Sequence, residues 1–347
     1  MIALLLATWV AFLCINRGPQ MPMWLLMITF FAVLLLIGGY YVYVRFLNDH
    51  RRLVALEIIC ILGVLFGVVA RLVFLKFSSN YMPTGEGSDT GIHWYLAQEI
   101  LADGKITTPS LGIYEGFFPY LTTYTGFIAL MMKIFGVNYA AILIPNVFCD
   151  LLVGVMMYIL LKRWQNQRIA LIGVALWMVN PLGIAFCAEG LALTLTNLRI
   201  MAVIFTTYFF YLALKEHDYR KTITLAALIG ICLAFGNAVR SVFTILLIAV
   251  LLLLVVLWLR KPTKKFLFTI GSSIIMLFVT FYAGGNVMTI MQQSLNPYYE
   301  KTHGGLGWSL FVGANRGTHG RWSEEDWDFM PPRLYSETMT MDDTNAE

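Results

Sequence analysis

Apolar residues run along this chain in blocks long enough to cross a bilayer, separated by short polar connections. A spanning helix needs about 20 predominantly apolar residues. The stretches 23–45, 53–77, 139–162, 168–187, 191–214, 221–238, 242–260 and 266–284 have that character. Residues 2–16 form a shorter stretch that lacks a basic leading segment and a small-residue cleavage site, so it reads as a span rather than a secretory signal. Basic residues fix the orientation. They cluster at Arg45, Arg51 and Arg52; at Lys162, Arg163 and Arg168; at Lys215, Arg220 and Lys221; and at Arg260, Lys261, Lys264 and Lys265. All four clusters are expected on the cytoplasmic side. The apolar stretch 117–136 is also long enough to span, yet counting it would place the 162–168 cluster outside. It is therefore predicted to lie on or dip into the outer leaflet, a position that Phe117, Phe118, Pro119 and Tyr120 at its start suit.

The expected architecture is an all-α polytopic membrane protein, a bundle of about nine transmembrane helices with a cytoplasmic N-terminus and an extracytoplasmic C-terminus. A transmembrane domain would occupy 1–284, and its first extracytoplasmic loop, 78–138, would carry juxtamembrane helices at about 90–103 and 117–136. Residues 285–347 would form an extracytoplasmic tail, a truncated soluble or further membrane region. Function is expected in these two outer segments, because every other connection is short.

Composition agrees with this reading. At 59% hydrophobic and 13% charged, with a mean hydropathy of +0.73, the 347 residues are too apolar for a soluble domain and fit a multi-pass protein of the cell membrane. The net charge of +4 is dispersed in the topology clusters and forms no nucleic-acid footprint. Cys14, Cys60, Cys149, Cys187 and Cys232 all fall in apolar stretches without close Cys or His spacing, which suggests neither a disulfide framework nor a zinc site. No clustered carboxylates point to a metal, and the sequence leaves open whether a divalent ion takes part.

Candidate chemistry begins in the first outer loop. Ile92, Leu96 and Ile100 recur at helical spacing before Gly104, which predicts a short amphipathic helix starting just after Asp89. On local grounds Asp89 is an N-cap. The wider pattern adds a second reading: Asp89 with His93, Tyr95 and Ala97, then Phe118-Pro119-Tyr120, Ile134-Phe135-Gly136 and Pro145-Asn146. The tail continues it with Gly313-Ala314-Asn315-Arg316, then Gly320-Arg321-Trp322 and Glu324-Glu325-Asp326. From about residue 70 to 327 the chain resembles the GT-C polyprenyl-phosphate-sugar transferases, which include protein O-mannosyltransferases and aminoarabinose transferases. The resemblance implies a donor sugar on a polyprenyl phosphate, a lipid, glycan or protein acceptor, and inversion at the sugar. It makes Asp89 the general base. One carboxylate suffices for such chemistry because a phosphate leaving group is already anionic.

The leaving phosphate needs a cation with a fork of donors, and Arg240, in the outer turn Gly236-Asn237-Ala238-Val239-Arg240-Ser241, is the candidate. Lipid head groups are its other expected partner. Glu189 sits where many family members carry an aspartate, or else caps a helix. Tyr95, Trp94, Tyr120, Trp308 and Trp322 can stack on sugars or form an interfacial aromatic belt. His93 and His319 are candidate supporting groups, and Asn315 and Arg316 candidate contacts to the donor. Of the charges inside spans, Asp150 and Arg199 are expected to pair, with Arg71 toward the outer end of its helix. A secondary transporter and an inactive scaffold are the rival functions, although no inverted repeat or pair of broken helices is visible. Family members continue past the tail motif while this sequence ends at Glu347, so a fragment or minimal member is expected.

Overall fold

A computed structural model describes residues 49–78, 89–260 and 263–299. Of these, 87% are helical and none forms a strand, which agrees with the all-α expectation. In chain order the helices are α1 (Asp49–Ser78), α2 (Asp89–Asp103), α3 (Pro109–Phe117), α4 (Pro119–Phe135), α5 (Ala140–Trp164) and α6 (Gln167–Met178). They continue as α7 (Pro181–Cys187), α8 (Leu193–Lys215), α9 (Tyr219–Asn237), α10 (Phe243–Arg260) and α11 (Lys264–Leu295).

Among the described residues α1, α5, α8, α9 and α11 are long and apolar enough to cross a membrane, and α6 with α7 makes a sixth crossing if that bent pair is one span. α10 is apolar but shorter over Phe243–Leu259. The expected stretches 2–16 and 23–45 lie outside the described residues, so among the described residues five or six crossings stand where seven of the nine were expected. Stretch 117–136 corresponds to α4, which starts at Pro119 after a further short helix, α3, that ends at Phe117; each of the two begins on a proline at the first helical turn. α4 packs on α2 and buries Thr122, Thr123, Tyr124 and Thr125. α11 continues past the expected end at 284 to Leu295. Its last turn supports the loop helices. Gln292 Nε2 donates to the Pro119 carbonyl at 2.9 Å, Asn296 Nδ2 donates to the Gly112 carbonyl at 2.8 Å, and Ile106 N donates to the Leu295 carbonyl at 2.8 Å.

The stretch 168–187 is not one helix. Pro181 drives Asn180 into extended backbone, and α7 leaves α6 at an angle of 56°. The Asn180 side chain accepts from Leu182 N at 3.1 Å, which takes away the donor that would have reached the Met178 carbonyl. Arg71 of α1 replaces it, donating from Nη1 to that carbonyl at 2.6 Å and to the Gly67 carbonyl at 2.9 Å. Its Nε donates to Asp150 Oδ2 at 2.7 Å, and Nη2 stands 2.6 Å from the same oxygen. Gly67 permits this approach, since a Cβ there would collide with the Met178 backbone. The expected Asp150–Arg199 pair is thus corrected to Asp150–Arg71. Sequence gives the depth of a residue in the membrane but not which neighbour its face meets. Arg199 instead donates from Nη1 to the Phe235 carbonyl in the last turn of α9, where carbonyls lack helical partners.

Candidate functional site

Asp89 opens α2, so its carboxylate sits at the positive end of that helix and remains exposed. The Tyr114 hydroxyl, from α3, donates to Asp89 Oδ1 at 3.3 Å. Burial, reinforced by the Asp89 charge, pushes the Tyr114 hydroxyl well above its ordinary pKa, so it stays a donor. One turn along α2, His93 is buried. Its Nδ1 lies 3.1 Å from Glu115 Oε1 and 2.8 Å from Thr125 Oγ1, and the Thr125 hydroxyl donates to the same Glu115 oxygen. The His93 ring meets the Tyr124 ring edge-on at 5.2 Å. Glu115 is fully buried, and its Oε2 has no hydrogen-bond partner among the described residues. His93, expected as a supporting group near Asp89 or the acceptor, is buried rather than at the surface. It joins α2 to α3 and α4 beneath Asp89.

Tyr120, in the first turn of α4, lies near both expected charges, Asp89 and Arg240. Burial raises its hydroxyl pKa; Asp89 raises it further and Arg240 pulls against that rise. Arg240 is exposed in the turn from α9 to α10, beside Val239, which is buried in the same apolar cluster as Trp94, Tyr139 and Ile142. Glu189 is exposed in the turn from α7 to α8. Asn146 of α5 donates from Nδ2 to the Glu189 carbonyl at 2.8 Å and accepts from Thr194 Oγ1 at 2.8 Å, which ties α5 to both ends of that turn. Gly190 presses on Thr90 so closely that a Cβ would clash, bringing the Glu189 turn against the start of α2. Burial pushes the Tyr139 hydroxyl, beside this turn, up to about 12. Burial also raises the Glu189 carboxyl above its ordinary value, although the residue keeps contact with solvent.

Asp89, Glu189 and Arg240 thus share one end of the bundle with Tyr120. Tyr95 is 44% exposed. It lies two residues, or about 200°, around α2 from His93. Trp94 is in the core against Tyr139, their rings 6.1 Å apart, and so is neither a sugar platform nor a belt residue. Asn315, Arg316 and Trp322, with Trp308 and His319, lie outside the described residues. Sequence reasoning missed Tyr114, Glu115 and Thr125. The available signal was an acid, Glu115, set among Ile113, Phe117 and Phe118, where an unpaired carboxylate is costly. Among the described residues no group of three or more His, Cys, Asp and Glu can hold a metal ion.

Fold and site define a polytopic helical membrane protein that gathers an acid, a cation and buried tyrosines at one end of its bundle. Residues 121–282 match the family model described as dolichyl-phosphate-mannose-protein mannosyltransferase. Over this stretch, from α4 into α11, the chain is similar to that GT-C type family, and the match indicates a membrane glycosyltransferase of the class that draws its sugar from a polyprenyl phosphate. Glu189 and Arg240 fall inside the matched residues, and Asp89 precedes them. Comparison with curated proteins and with solved structures finds no match.

Proposed function

We propose that the chain transfers a sugar, with inversion, from a polyprenyl-phosphate donor to an acceptor hydroxyl or amine on the extracytoplasmic side. The observation that supports this reading is that Asp89 and Arg240 both lie near enough to the Tyr120 hydroxyl to act on it, with opposite sign. The acceptor oxygen or nitrogen attacks the anomeric carbon and gives its proton to Asp89. The bond from that carbon to the phosphate oxygen breaks on the opposite face. Arg240, exposed and forked, takes the charge of the departing lipid phosphate. Tyr114 fixes the Asp89 carboxylate so that its second oxygen faces the acceptor. Glu189 borders the acceptor side, and Asn315, Arg316 and Trp322 contribute donor contacts from the tail. The sidedness rests on the basic clusters at 162–168, 215–221 and 264–265, all at the end of the bundle away from Asp89.

The test is transfer from a labelled polyprenyl-phosphate sugar to membrane acceptors by the parent chain and by Asp89→Asn at matched expression. A loss of about a thousandfold is expected, the magnitude of a general base together with its electrostatic contribution. A parent that transfers from no donor, or an Asn variant as active as the parent, leaves Asp89 a helix cap and returns transport or scaffolding as the working function.

A further inference from the structure

At the end of the bundle opposite Asp89, a cavity of about 690 Å³ opens between α5, α8 and α9. Arg163, in the last turn of α5, and Arg220 and Lys221, in the first turn of α9, stand at its mouth. Phe205, Phe209 and Leu228 form its wall. The Arg163 guanidinium is held over the Phe209 ring at 5.0 Å. Lys221 is already engaged, 3.2 Å from Asp218 and 3.9 Å from Glu216, and Glu216 also lines the cavity. Among the described residues neither Arg163 nor Arg220 pairs with a carboxylate, so the mouth keeps two guanidinium groups with their donor forks available.

We propose that this groove binds an anionic glycerophospholipid of the surrounding leaflet. The guanidinium groups of Arg163 and Arg220 take the headgroup phosphate, for which the planar fork is the favoured protein partner. The upper acyl chains lie along Phe205 and Leu228. Leu228 is 43% exposed, so the wall continues into the apolar flank of the bundle that the hydrocarbon covers. A free phosphate would have no use for such a wall. The volume suits a headgroup with the first part of its chains rather than a whole lipid. Basic residues at this end already follow from topology. The groove differs from that general charge because two arginines from different helices converge on one apolar-walled cavity, the arrangement by which basic pockets between spanning helices select anionic headgroups.

The experiment measures association of spin-labelled phosphatidylglycerol, relative to phosphatidylcholine, with the whole chain reconstituted in phosphatidylcholine bilayers. In Arg163→Gln/Arg220→Gln the preference should fall roughly tenfold or more. Lys162→Gln/Lys264→Gln removes the same charge from the same end but outside the groove and should change it by less than about twofold. Leu228→Trp leaves every cation in place and fills the space along the apolar wall, and should reproduce the loss seen in the arginine pair. Soluble glycerol phosphate in excess should displace nothing. Equal losses from the two charge pairs would reduce the groove to general surface attraction. An unaffected Leu228→Trp protein of parental melting temperature would remove the apolar wall from the site. Displacement by glycerol phosphate, or stronger competition by a polyprenyl phosphate, would overturn the assigned occupant.

Discussion

The Arg71–Asp150 pair and the Asp89–Arg240 end of the bundle use the same two kinds of charge in opposite ways. Arg71 and Asp150 are 0% and 1% exposed, and Arg71 directs its donors to a carboxylate and to two backbone carbonyls, one of them freed by the break before Pro181. Such a pair is a fastener, holding α1 and α5 to a bent span. Asp89 and Arg240 are both exposed, and both act on the Tyr120 hydroxyl. Charges in that state can still meet a ligand. The contrast shows that a charge within a span is weak evidence for a reaction site when the protein itself satisfies it. The His93–Glu115–Thr125 group belongs to both kinds, since it is buried like the fastener but lies one turn from Asp89.

The comparison breaks most readily at Asp150. Asp150→Ala leaves Arg71 charged and buried without its carboxylate, a change that costs about 3–5 kcal/mol where such pairs have been broken. Unfolding in detergent should show that loss, while the transfer rate per folded molecule stays near parental. Replacing both partners, Arg71→Met with Asp150→Leu, should recover much of the stability. If Asp150→Ala instead melts like the parent but fails to transfer sugar, the pair belongs to the site and the distinction collapses. A smaller effect sharpens the border. Glu115→Ala strips His93 and Thr125 of a shared acceptor and should cost about 1–3 kcal/mol. Because α3 carries both Glu115 and Tyr114, it should also slow transfer more than it weakens donor binding. Glu115→Gln keeps an acceptor in place and should restore most of both. A Glu115→Ala protein with parental rate and reduced stability would place the group wholly with the fastener.

Hydrophobic blocks carried most of the fold. Five crossings have the length and apolarity that the pattern predicts, and both proline-led loop helices fall within the outer segment assigned to function. The break in 168–187 was less legible because Val179-Asn180-Pro181 interrupts an otherwise continuous apolar run, and composition averages over such an interruption. Asp150 could be recognised as needing a cation, but two were available at similar depth. α5 packs against both α1 and α8, and only the face of α5 that carries Asp150 selects Arg71 over Arg199. At the candidate site, Asp89, Glu189 and Arg240 were singled out from local signals and resemblance. Tyr114 and Glu115 were not, since both lie in a run, Ile113 to Tyr120, that reads as membrane-facing when its partners on α2 and α4 are unknown.

Glu189 gives the smallest effect and separates a bordering ligand group from a residue that only closes a turn. Burial raises its carboxyl above the ordinary value, so between those two pKa values the folded chain binds the proton more strongly than the unfolded chain does. Stability therefore falls as pH rises through that window, and the cost is fully present above it. Glu189→Gln removes the ionisation. Its melting temperature should be equal to or slightly above the parent's at neutral pH, and the difference should vanish once pH drops below the ordinary carboxylate range. An exposed side chain keeps that difference small. A melting advantage that appears only on acidification would reverse the sign and show a carboxylate stabilised by a partner. The same variant should raise KM for the acceptor while leaving kcat near parental if Glu189 borders bound acceptor, because a contact made equally in ground and transition states changes binding alone. If kinetics do not change and the small melting shift remains, Glu189 is confined to the α7–α8 turn, and acceptor recognition must come from the groups around Asp89.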